Sequence, residues 1–88
     1  MFVESDVNTD FGISQEDWNK VTPQTMQMIT NLKNRWQRFV QKWAGKILPR
    51  NQYNGVKGNV VKFRAEFNSL RERALLDIQE YDSRQNQP

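Results

Sequence analysis

Apolar residues recur at steps of three and four along two stretches of this chain, and ten residues rich in turn formers separate them. The first stretch runs Met26, Ile29, Leu32, Trp36, Phe39/Val40, Trp43 and Ile47, and the second runs Val60, Phe63, Phe67, Leu70, Ala74, Ile78 and Tyr81. Steps of three and four gather side chains on one face of an α-helix; a strand, with its period of two, would scatter them over both faces. The separator, residues 49–58, holds Pro49, the turn dipeptide Asn54-Gly55 and Gly58. The pattern predicts an all-α fold: an antiparallel helical hairpin of two long helices, with a short N-terminal helix and an irregular arm.

Cap signals set the expected boundaries within one helical domain, residues 1–88. Residues 1–13 show no sustained period and read as an arm that Phe2, Val3 and Phe11 could anchor. Ser14 suits an N-cap, with Glu16 and Asp17 at the positive end of the helix dipole, and predicts a short helix over 14–21. Ile13 and Trp18, then Val21 and Met26, fall at hydrophobic-staple spacing. Thr22-Pro23 starts the first long helix, 23–48, which Pro49 stops. Residues 49–58 read as loop, Asn59 as the next N-cap, 60–83 as the second long helix and 84–88 as a polar tail. The long helices would measure roughly 39 and 36 Å at about 1.5 Å per residue, matched as a hairpin needs.

The 88 residues include neither Cys nor His. The chain therefore forms no disulfide or thiolate metal site, and it lacks both the commonest metal ligand and the commonest general base. No cofactor site is expected, and no enzyme. Glu66, Asp77 and Glu80 fall along one flank of the second helix with Arg73 among them, but solvated carboxylates keep ordinary pKa values and make poor general acids at neutral pH. Asp10-Phe11-Gly12 matches the metal-binding triplet of protein kinases without any of the accompanying loops. The acidic start, Glu4-Ser5-Asp6, lacks the charge and apolar run of a signal peptide, and no apolar run is long enough to span a membrane. The expected setting is intracellular.

Charge is segregated along the chain. Residues 23–64 carry nine bases and no acid, whereas residues 1–22 carry five acids and one base. This split fits an acidic arm lying on a basic hairpin, or an anionic partner. Arg35, Arg38, Lys42 and Lys46 step along one side of the first long helix as a stripe able to neutralise phosphates of a nucleic acid or lipid headgroups. Trp18, Trp36 and Trp43 are core candidates before they are a ligand pocket, because each ring has a large area to bury.

Two seams of about seven apolar residues leave their flanks wet, and Met28, Val61, Leu75 and Leu76 lie off both seams. The leading expectation is a non-catalytic interaction or structural module. It would form a homo-oligomer or dock on a larger protein, with Trp36, Trp43, Phe63 and Phe67 as anchors. A monomer whose arm completes the core is the alternative architecture. A nucleic-acid-binding accessory protein using the basic stripe is the alternative function.

Trp43-Ala44-Gly45 resembles the W-x-G triplet of the small helical-hairpin proteins exported by type VII secretion systems, where it lies in the turn between the helices. Two departures accompany the resemblance. The helical pattern runs on through Lys46-Ile47-Leu48, and Gln85 stands four residues after Tyr81, where that family carries an acid.

Overall fold

The computed structural model describes residues 1–85, and they form an all-α hairpin without strands. A 3-10 turn at Glu4–Asp6 is followed by α1 (Gln15–Trp18), α2 (Pro23–Trp43) and α3 (Arg50–Gln85). Residues 86–88 of the expected tail lie outside the described residues. The hairpin is a rod with extents of 61 × 18 × 18 Å.

The predicted starts of the first two helices hold. Ser14 Oγ accepts the Asp17 amide at 3.2 Å, Thr22 Oγ1 accepts the Thr25 amide at 3.3 Å, and Pro23 occupies the first turn of α2. α1 is only four residues long, shorter than the expected 14–21.

The reversal comes earlier than expected. α2 ends at Trp43, not Leu48, and α3 begins at Arg50, not beyond Asn59. Gly45 explains the stop: its φ of +72° is the left-handed conformation that ends helices and that residues with a Cβ rarely adopt. Its amide donates to the Phe2 carbonyl at 3.0 Å, which ties the arm to the turn. Pro49 then precedes a helix that it was expected only to follow. From there Val56 and Val60 extend the buried seam of α3 backwards, and this packing carries the helix through Asn54-Gly55 and Gly58 against their turn preference. α3, 36 residues and roughly 54 Å at about 1.5 Å per residue, overreaches α2 at both ends. Ile47, expected in the seam, stands in the connection and is 93% exposed.

The core joins both seams and the arm. Ile29, Leu32 and Trp36 of α2 meet Phe67, Leu70, Ala74 and Ile78 of α3, and Val7 and Phe11 close over them. Phe2 lies 6.0 Å from Trp36 and 5.4 Å from Phe39 between ring centroids, and Phe11 stacks on Trp18 and meets Phe67 edge-on. Two arm residues differ from expectation: Val3 is exposed, and Val7, which no periodic pattern marks, is buried. Arg64 and Arg71 of α3 donate to the Asp6 and Asn8 carbonyls, so the basic hairpin grips the acidic arm by its backbone.

At the far end Thr25, not Met26, takes the buried seam position. Its hydroxyl is satisfied by Arg73 Nε at 3.2 Å. Asp77 of α3 accepts both the amide and the hydroxyl of Thr22, placing a carboxylate at the positive end of α2. Desolvation pushes the Asp77 carboxyl up, but the Thr25 and Thr22 hydroxyls, the Thr22 amide and the Arg73 charge outweigh it and hold the group below the usual carboxylate range. A lowered folded-state pKa stabilises the fold above the unfolded value of about 4 and is lost as pH falls through the folded one. Asp77→Ala is therefore expected to cost about 1 kcal/mol at neutral pH, read by thermal denaturation, with the gap to wild type closing below about pH 4.

Candidate functional site

The arm divides the rod into two unlike faces. On the arm face Lys33 lies over the Phe11 ring with Arg71 also close to it, and Gln37 reaches Glu4. Helix geometry then fixes the opposite, back face. One hundred degrees per residue places Met28 and Arg35 of α2, and Lys62, Glu66, Ser69 and Leu76 of α3, away from Lys33, Arg64 and Arg71.

A groove of about 540 Å³ opens between the helices on this back face, lined by Met28, Asn31, Leu32 and Arg35 of α2 and Ala65, Glu66, Ser69 and Leu70 of α3. Leu32 and Leu70 are its buried lining residues, and the small side chains of Ala65 and Ser69 keep its α3 edge low. Arg35 and Glu66 face each other across it at 3.1 Å, both about half exposed. Met28 is 43% exposed and Leu76 59%, and both line its continuation toward the open end of the hairpin. Half-buried Phe63 lines its continuation toward the turn, with Asn59 and Lys62.

The four expected anchors separate. Trp36 is 1% exposed and Phe67 fully buried, so both rings belong to the chain's own core. Phe63 packs edge-on against Trp36 at 5.1 Å while keeping part of its surface open. Trp43 is half-buried at the end of α2, with Lys42 over its ring. The three tryptophans do not converge into a ligand pocket: Trp18 stacks on Phe11, and the Trp36 indole N–H has no acceptor among the described residues. The arm packs on Trp36 and Phe67 through Phe2 and Phe11, so these two rings are covered within one chain, against the expectation that they need a second. The off-seam residues Met28, Val61, Leu75 and Leu76 are exposed as their positions imply.

The basic stripe also divides. Arg35 pairs with Glu66, and Lys46 Nζ donates to the Gln41 carbonyl. Arg38 and Lys42 are exposed and make no ion pair among the described residues. Lys20, which the stripe does not include, bridges Asp17 and Asp82 at 3.1 and 2.9 Å; these two carboxylates raise its pKa.

The carboxylates read from the sequence are engaged in structural contacts, Glu66 with Arg35 and Asp77 with Thr22. Arg73 turns to Thr25 and forms no ion pair with Asp77 within 4.0 Å. Among the described residues no group of carboxylates could hold a metal ion and no helix is long and apolar enough to cross a membrane. Trp43-Ala44-Gly45 sits at the reversal itself, which removes one of the two departures from the W-x-G hairpin proteins. No family model, curated protein or solved structure matches this chain.

Proposed function

We propose that this chain is a non-catalytic interaction module that receives a helix of another polypeptide in its back groove. The observation that carries the reading is the asymmetry of the rod. One face is closed by the arm, whereas the other leaves Met28 and Leu76 in water beside a groove based on Leu32 and Leu70. Apolar side chains gathered beside an interhelical groove are a common mark of a docking surface. The test compares partners retained from native extract by wild type and by a Met28→Glu/Leu76→Glu double variant, whose changes fall on exposed positions and leave the core intact. A specific partner bound by wild type is expected to be lost, by about tenfold or more in affinity, in the variant. Equal retention by both proteins contradicts the reading.

The charge pattern favours a second reading. Residues 34–64 hold eight cations and no acid, and they include the whole turn end of the rod. That surface suits a polyanion such as nucleic acid, with exposed Tyr53 available to stack on a base. Oligonucleotide binding that weakens steeply with added salt distinguishes it from groove docking. The W-x-G triplet at the reversal supports a variant of the first reading, in which the module is a small exported hairpin.

A further inference from the structure

We infer, resting on the docking reading, that the helix received by the back groove is polarised: apolar where it meets the open end of the hairpin and acidic where it meets the turn.

The two banks of the groove carry this inference. A step of seven residues returns a helical side chain to within about 20° of the same line. On α2 one such line holds Met28, Arg35 and Lys42, and on α3 another holds Lys62, Ser69 and Leu76. The helices are antiparallel, so both lines read alike from the open end: an apolar residue, a polar middle and a lysine. Met28 and Leu76 border one depression, and Lys62 borders the next toward the turn, beside half-buried Phe63. The depression between them shares residues with both, which makes the groove continuous. Each line spans roughly 21 Å at about 1.5 Å per residue, the length of about four turns of a bound helix.

Charge changes along the groove in the same sense. At the middle Arg35 and Glu66 cancel each other across 3.1 Å. Toward the turn Lys42 and Lys62 are exposed and make no ion pair among the described residues, and Lys42 Nζ lies 5.1 Å from the Trp43 ring centroid. Exposed Arg38, one turn before Lys42, adds to that charge. At the open end Glu72 borders the apolar depression, and Arg73 there turns to Thr25. Carboxylates are therefore attracted at the turn and repelled at the open end, where Met28 and Leu76 need apolar cover. A helix carrying apolar residues in one half and carboxylates in the other satisfies both ends at once. A nucleic acid, charged along its whole length, would suit the turn half and leave Met28 and Leu76 in water.

Selection of displayed peptides of about 20 residues on the full chain tests this polarity. Retained peptides are expected to carry apolar residues at steps of three and four and, about two to three turns away, a cluster of Asp or Glu. Fluorescence anisotropy then measures binding of the leading peptide. A Lys42→Glu/Lys62→Glu variant is expected to bind it about tenfold more weakly, with recovery when the peptide's acids are replaced by Lys. Met28→Glu/Leu76→Glu is expected to weaken it as well, without that recovery. All four positions are exposed, and circular dichroism with thermal denaturation checks that both variants fold. Retained peptides without acids, or binding unmoved by the lysine reversals, overturn the inference; loss in the Met28→Glu/Leu76→Glu variant alone then leaves groove docking standing. Self-association of wild type through Met28 and Leu76 by sedimentation, or an oligonucleotide that displaces the peptide, assigns the groove another occupant and also overturns it. Peptides insensitive to both variants, or no retained peptide, contradict the docking reading too.

Discussion

Replacing Phe67 with Ala is expected to remove most of the stability of the hairpin at room temperature. Phe67 is fully buried where α3, α2 and the arm meet, with Phe11 edge-on at 6.3 Å between ring centroids. Truncating a buried Phe costs about 3–5 kcal/mol, because the lost transfer energy is joined by the cost of an unfilled cavity. Small domains sit near the lower end of the usual 5–15 kcal/mol of stability, so the loss consumes most of what holds the hairpin together. Urea denaturation followed by circular dichroism at helical wavelengths measures it. A loss below about 1 kcal/mol would mean that Phe67 is not enclosed as described.

Phe11→Ala separates a hairpin closed by its own arm from a bare pair of helices. Phe11 has no place in either helical seam, and a chain that kept its arm in solvent would scarcely notice its loss. In the structure it is 8% exposed, stacked on Trp18 and flanked by Lys33 and Arg71. The expected cost is about 3 kcal/mol, with a red shift of tryptophan emission as Trp18 becomes wet. Chemical denaturation monitored by that emission gives both quantities from one experiment. An unchanged unfolding midpoint would place the arm off the hairpin.

The two helices and their inward faces were legible because a period of three and four is a direct consequence of helix geometry. Ile29, Leu32, Trp36, Phe67, Leu70, Ala74 and Ile78 all occupy the core as their spacing implies. The caps Ser14 and Thr22 were legible for the same reason: each has an amide three residues on that needs an acceptor. The reversal was not. Asn54-Gly55 is a strong turn signal locally, yet Val56 and Val60 gain more from continuing the seam than two glycines lose in a helix. Gly45 carried the decisive information, but a single glycine near a helix end marks a stop only once its left-handed conformation is known.

The arm exposed a different limit. Its buried residues Val7 and Phe11 and its half-buried Phe2 follow no period, because an extended segment over a groove is guided by the groove's shape and not by its own repeat. Read without that cover, the tryptophan-bearing seam predicts a partner, with Trp36 and Phe67 among its anchors. With the arm in place, Met28 and Leu76 remain exposed on the back face, while Val61 and Leu75 are exposed on another flank of α3. The residues that mark the back face, Met28 and Leu76, were visible in the sequence only as exceptions to the seams.

Isotope-filtered nuclear Overhauser spectroscopy on an equimolar mixture of labelled and unlabelled chains tests the self-closed hairpin most directly. The fold described here predicts proton contacts between Phe2 and Trp36 and between Phe11 and Phe67 within a single chain, unchanged on dilution. Finding those contacts only between labelled and unlabelled molecules, or not at all, would contradict it.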